Sequence, residues 1–389
     1  MKSPLVYLFI AISIVGCGAA QKTATQKTID MEPVVIEVKD KDGRREVNTY
    51  DAESLFNEAK KAYQSEQFSA CIEKYTQLLD QFTQSRFVVS ARFNRGLCYE
   101  ESLQHGLAVQ DFRLYIDTVE TDKDKLDGFF RWGFNLVEAG NYPIAKGLYD
   151  ELLTRTDLGE FDRAEAHLRR GISLAGMRQY AVGERDLRQA LKLVKKAAKG
   201  EVLGNDIAAE CHYRKGDIYG ELSRDVKLKL PLENMESDLQ AKIRFFRQSQ
   251  SSYIDTLNVR SPYWSTAAGL KLGELYQRFY EDVVAAEVPP SFDQTMRRYY
   301  LLELKKRLQP VLVHSVKIYE RNMAMGLRLG TENEWTIETE KRLEKLRALI
   351  EQNNLAAKEL DDKPTTPNTK KRPPKRRKRT VAKPAGADT

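Results

Sequence analysis

The segment Gly133–Tyr149, GFNLVEAGNYPIAKGLY, decides the fold. Gly133 and Leu136 stand three apart, Ala145 and Tyr149 four apart, and Gly140-Asn141-Tyr142 between them is a turn signal. The segment reads as two antiparallel helices. A small residue on the first lets the second approach closely, a small residue on the second receives that contact, and the aromatic fills the space toward the next pair. The same spacing occurs in Ala59-x2-Ala62-x8-Cys71-x3-Tyr75, in Gly96-x2-Tyr99-x8-Ala108-x3-Phe112 and in Gly171-x2-Leu174-x8-Gly183-x3-Leu187. Two degenerate copies open with Gly216-x2-Tyr219 and Gly273-x2-Tyr276, with Ala241-x3-Phe245 and Ser315-x3-Tyr319 expected as their late second helices. Proline is absent from residue 144 to residue 230, so long helices are unobstructed there.

These spacings resemble the tetratricopeptide repeat, although the period is 37 or 38 residues against about 34 and the usual closing proline is missing. The resemblance covers residues 51–350 and implies an all-α fold, a right-handed superhelical stack of helix pairs, between disordered ends. In such stacks the first helix of each pair faces the concavity where partners bind. Position relative to the small residues then puts Phe56, Tyr63, Phe93, Phe130, Phe134 and Tyr213 forward as partner-binding residues, with core packing as the competing reading. The family's carboxylate clamp for chaperone tails needs Lys and Asn four apart. Phe56 and Lys60 occupy those places, so chaperone-tail capture is not expected.

Charge separates the repeat from the end of the chain. Of 389 residues, 63 are Lys or Arg and 56 Asp or Glu, yet ten of the former and three of the latter lie beyond residue 360. The remainder is formally neutral, and the basic character belongs to a carboxyl-terminal tail, residues 351–389. Lys370, Lys371, Arg372, Lys375, Arg376, Arg377, Lys378 and Arg379 crowd ten positions with two prolines, a composition expected to be disordered and drawn to anionic lipid or lipopolysaccharide.

At the other end, Met1-Lys2, an apolar stretch from Pro4 and Ile14-Val15-Gly16-Cys17 have the layout of an export signal, residues 1–16. The ending resembles the bacterial lipobox. That resemblance implies acylation of Cys17, palmitate included, and, because residue 18 is Gly, the outer membrane at its periplasmic face. Residues 17–50 read as a lipidated tether, interrupted by Val34-Val35-Ile36-Glu37-Val38, a short strand suited to a local hairpin or a plain linker ahead of a partner's sheet edge. Cys71, Cys98 and Cys211 allow one disulfide at most, and buried free thiols are the expectation.

No phosphate loop, His-Glu-x2-His pair, nucleophile elbow or metal-spaced cysteine set occurs. His105, His167, His212 and His314 are scattered, so no catalytic residue, metal or cofactor is expected. The expected function is a noncatalytic scaffold lipoprotein that joins other envelope proteins through its repeats and binds no nucleic acid. The segment from Ala267-Ala268-Gly269 through Leu308-Gln309-Pro310 to Leu329-Gly330-Thr331-Glu332-Asn333-Glu334-Trp335 is similar to repeat lipoproteins of the deltaproteobacterial adventurous gliding machinery, which implies a motility complex. The alternative is an outer-membrane barrel-assembly lipoprotein, a group that also places such repeats behind a lipidated cysteine. In the plainer reading of that segment it is a capping hairpin, with Pro310 kinking a long helix and Trp335 plugging the end.

Overall fold

Among the described residues, helices follow one another with a single exception near the start. The computed structural model describes residues 33–41, 44–198 and 205–361. A hairpin of β1 (Val34–Lys41) and β2 (Arg44–Asp51) leads into α1 (Ala52–Gln64), α2 (Phe68–Gln81) and α3 (Val88–Glu101). Then come α4 (His105–Thr118), α5 (Asp122–Glu138), α6 (Tyr142–Thr154), α7 (Glu160–Gly176) and α8 (Tyr180–Ala198). The chain ends with α9 (Asn205–Asp225), α10 (Leu232–Val259), α11 (Pro262–Val284), α12 (Gln294–Leu329) and α13 (Glu334–Asp361). Two compact units result, one ending at Leu103 and the other beginning at Gln104. Both are built of antiparallel helix pairs of the tetratricopeptide kind.

The turn inside each pair repeats as faithfully as the helices. Glu66, Leu103, Gly140 and Arg178, spaced by 37, 37 and 38 residues, all have positive φ. Around three of them the same pair of hydrogen bonds closes the first helix: Gln67 N donates to Ala62 O, Asn141 N to Leu136 O and Gln179 N to Leu174 O, each with a second bond from the preceding residue. This two-bond closure satisfies carbonyls that the helix end leaves free. Only one of the four positions is glycine, so the period was visible in the helices and hidden in the turns.

In the first unit the core is Leu55 and Ala59 of α1, Tyr75 and Leu78 of α2, and Ala91 of α3. β1 pairs with β2 antiparallel, Val38 opposite Val47, and Val35 and Tyr50 rest on this core. The hairpin therefore lies inside the stretch read as tether, and its pairing is local. Asp51 closes β2 and caps α1: its carboxylate accepts from Ser54 N at 2.7 Å while Asp51 N donates to Ser54 Oγ at 3.0 Å. The expectation of free thiols fails here. Cys71 and Cys98 form a disulfide between α2 and α3, their Cα atoms 6.3 Å apart. Small residues sit where backbones come closest, so two cysteines at such positions reach bonding range. Cys211 is free and buried, and burial raises its thiol pKa.

In the second unit the small-residue register explains each pair. A Cβ on Gly133 would collide with the Tyr149 ring, one on Gly216 with Tyr253, and one on Gly273 with Tyr319; Gly171 faces the backbone of Gly183 and Leu187. The late second helix of the Gly216 pair differs from expectation. Ser249-x3-Tyr253, eight residues beyond Ala241-x3-Phe245, makes the contact, with Ser249 Oγ donating to Gly216 O at 2.8 Å. Ser315 Oγ repeats that bond to Gly273 O at 2.8 Å, so Ser315-x3-Tyr319 holds the place expected of it. Pro310 lies inside α12, and the helix continues through it. Overpacking a site of this kind costs about 1 to 3 kcal/mol. Gly133→Leu should therefore lower the urea midpoint well below that of Lys196→Leu, whose side chain is 71% exposed; equal midpoints would contradict the packing.

Candidate functional site

The six aromatic candidates divide between the units. In the first, Phe56 stacks on Phe87 at 5.0 Å and meets Tyr75 edge-on at 5.5 Å. Tyr63 packs on Phe68 and donates from Oη to Glu101 Oε1 at 3.4 Å, and Phe93 is half-buried on α3. In the second, Phe130 rests on the core 6.5 Å from Tyr149, and Phe134 lies half-buried with the Arg169 guanidinium 5.1 Å over its ring. Tyr213 differs: at 2% exposure, packed among Tyr253, Trp264 and Trp335, it belongs to the core rather than the open face and contributes only to the lining of the cavity between α9, α10, α11 and the start of α13. Trp335 opens α13 and packs on that cluster.

The odd-numbered helices α5 to α13, by contrast, bring ionised side chains into one connected line. From Phe134 on α5 the line passes to Arg169 on α7, which donates to Glu210 on α9 at 3.0 Å. Arg214, one turn on, donates Nη2 to the same Glu210 oxygen at 3.0 Å and faces Asp217 at 3.9 Å. On α11, Glu274 accepts from Lys271 at 3.1 Å, from Arg278 at 3.2 Å and from Arg342 of α13 at 3.1 Å. The carboxylates form the floor: Glu210 and Glu274 side chains are 6% and 4% exposed, whereas Arg278 is 42% exposed. Burial alone would raise the Glu210 pKa, but Arg169 and Arg214 outweigh it and hold the carboxyl below its usual range. Asp217 differs, because burial prevails over Arg214 and Lys271 and its pKa is raised.

Between α9, α10, α11 and the start of α13 this line opens into a cavity of about 360 Å³. Arg214, Lys271 and Arg278 reach into it above Glu274, and Tyr253 Oη donates to Asp217 Oδ1 at 2.8 Å. Beneath, the ammonium of Lys242, 1% exposed, is bonded to Ser223 O and to Asp282 Oδ2, both at 2.6 Å. Such a lining binds and orients polar groups of both signs. Composition alone missed it, yet a signal existed: two residues before the small residue, the last four repeats carry Arg131, Arg169, Arg214 and Lys271.

The histidines serve separate neighbours. His167 Nδ1 lies 3.0 Å from Asp186, His105 Nδ1 2.9 Å from Asn135, and His314 packs on Tyr276 at 4.5 Å. Burial, with Lys215 adding to it, lowers the pKa of His212. Among the described residues no three His, Cys, Asp or Glu side chains are grouped to hold a metal, and no helix is long and apolar enough to cross a membrane. Cys17 and the basic tail, Lys370, Lys371, Arg372, Lys375, Arg376, Arg377, Lys378 and Arg379, lie outside the described residues.

No protein-family model matches the chain, and no curated protein does. Solved structures do show similarity. The carboxyl-terminal part of a TPR repeat-containing protein from Cytophaga hutchinsonii is 14% identical over 77% of this chain and 98% of its own, with a TM-score of 0.39. A TPR repeats protein from Bacteroides fragilis is 14% identical over 77% and 99%, TM-score 0.29. A Rap protein complexed with Competence and Sporulation Factor is 12% identical over 78% and 76%, TM-score 0.37. At these scores the assignment of the helix pairs rests on this chain's own contacts, the glycine collisions and the repeated turns.

Proposed function

We propose that this chain is a noncatalytic scaffold of the bacterial envelope, anchored by lipid on Cys17 at the periplasmic face of the outer membrane, which holds a partner protein on the ion-paired face of α7, α9, α11 and α13. The observation that carries this is the vertical order of the charges. Glu210 and Glu274 are buried and matched, and the cations above them are partly free to meet solvent, with Lys271 at 25% and Arg278 at 42% exposure. Charges so placed choose partners and fix register more than they add raw affinity. Support for export comes from the Gly16-Cys17 ending and from the Cys71–Cys98 bridge, since disulfides persist in oxidising compartments.

The partner is found by crosslinking in cells and purification of the lipidated chain. Lys271→Glu with Arg278→Glu should lower its recovery at least tenfold, whereas Lys195→Glu on the exposed side of α8 should not. Undiminished recovery with the double variant would reject this face. Identity of the recovered protein separates a gliding-motility complex from barrel assembly. The anchor is tested apart from the face: Cys17→Ser should shift the protein out of the membrane fraction and abolish labelling by a palmitate analogue.

A further inference from the structure

α12 begins in solvent. Every residue from Asp293 to Tyr300 is exposed, and no residue before Leu312 in the helix is buried. Its neighbours stop short. α11 runs antiparallel to it, with Ser315 bonded to Gly273, and ends at Val284, so α12 extends past that end by about ten residues, roughly 15 Å at 1.5 Å per residue. α13 also runs antiparallel, Gln309 donating to Asn354 at 2.8 Å, and ends at Asp361.

What this projecting part carries is not the composition of an idle surface. The projecting turns, Asp293–Glu303, carry Arg297 and Arg298 with Asp293 and Glu303, and the turn behind them adds Lys305, Lys306 and Arg307, the last donating to Glu303 at 2.8 Å, so that five cations stand against two acids from Asp293 to Arg307. Among them are Met296 and Tyr299, 53% and 60% exposed, and Tyr300 at 36%. Short helices without neighbours are marginal in water, and a basic helix with exposed aromatic and thioether side chains is suited to the boundary between lipid headgroups and acyl chains. The end of the described chain agrees. Asp361 falls beside the projecting turns, and the 28 residues that follow it carry ten Lys or Arg against two Asp.

We propose that the start of α12 docks on an anionic lipid surface, with Met296, Tyr299 and Tyr300 entering the headgroup layer and Arg297 and Arg298 of the projecting turns, with Lys305 and Lys306 of the turn behind them, pairing with lipid phosphates. Charge complementarity selects the occupant. This rests on the reading that the chain works at a membrane, and it gives the repeat domain a second foothold beside the acyl anchor.

The test uses the Cys17→Ser chain without residues 1–16, so that no acyl group contributes. It is mixed with vesicles of phosphatidylethanolamine and phosphatidylglycerol, or of phosphatidylcholine, at low salt. Binding to the anionic vesicles is expected to fall at least tenfold in the variant Arg297→Gln, Arg298→Gln, Tyr299→Ser. Its melting temperature should stay unchanged, because none of the three side chains is buried. In Tyr299→Trp, emission should shift to the blue with anionic vesicles only. Undiminished binding by the triple variant, no blue shift, equal binding to phosphatidylcholine, or preference for a DNA duplex over vesicles would each overturn the proposal. Because the anchor is absent from this assay, a failure of Cys17 acylation in cells would leave its result standing.

Discussion

Replacing Glu210 by Ala is expected to destabilise the second unit by about 3 to 5 kcal/mol, because it strips the shared counter-charge from two arginines, Arg169 at 11% and Arg214 at 26% exposure. Glu165→Ala, which removes a carboxylate 38% exposed from the same Arg169, should cost less than about 1 kcal/mol. Urea denaturation of the two variants measures the difference, and similar losses would show that the buried pairing does not anchor the line. Acid gives the matching sign. The Glu210 pKa is lowered in the fold, so its contribution is complete above the ordinary carboxylate range of about 4.3 and is lost as pH falls through the folded value. Asp186 adds to this limb: burial would raise its pKa, but bonds from His167 and Arg170 lower it. Stability of the parent should therefore fall below about pH 4, and that fall should be shallower in Glu210→Ala.

The second large effect belongs to the first unit. Cys71 and Cys98 are 27 residues apart, and closing a loop of that length in the unfolded chain stabilises the fold by about 3 to 4 kcal/mol. A unit of this size has a small core, so reduction by dithiothreitol should move its unfolding midpoint far more than that of the second unit, whose Cys211 is unbonded. Thiol counting supplies an independent check. With Cys17 replaced by Ser, the denatured, unreduced protein should show one reactive thiol; three would mean that the bridge does not form.

Much of the fold could be read from residue types because its rule is steric and local. A glycine or alanine every 37 residues, with a small residue and an aromatic at fixed distances behind it, reports a helix pair wherever it occurs. The rule picked out Ser315 but failed at Ser249, where Ala241 offered the same spacing eight residues earlier. Ser249 fits the Gly216 contact because its hydroxyl returns a hydrogen bond to the glycine carbonyl, whereas Ala241 only has the right size. Cysteine parity permitted a bridge without choosing it; the choice depends on two helices lying within bonding distance.

The candidate site was less legible for a different reason. Arg169 and Glu210 are 41 residues apart, and Glu274 and Arg342 are 68 apart. The cations Arg169, Arg214 and Lys271 keep a fixed place two residues before each small residue, but nothing around Glu210, Glu274 or Arg342 tells a buried partner from the many surface charges of so polar a chain. Only the stack of first helices brings them together. The aromatics misled in the opposite sense, since residues beside the small positions face either the next helix or the open face, and Tyr213 faces the core.

The proposed docking of a partner protein on the charged face of α7, α9, α11 and α13 has a photochemical consequence. It is tested most directly by placing a photo-crosslinking amino acid at Arg278, on that face, or at Lys195, exposed on α8, and illuminating living cells. A discrete protein adduct is expected from position 278 and none from position 195. Adducts from position 195 with none from position 278 would contradict it.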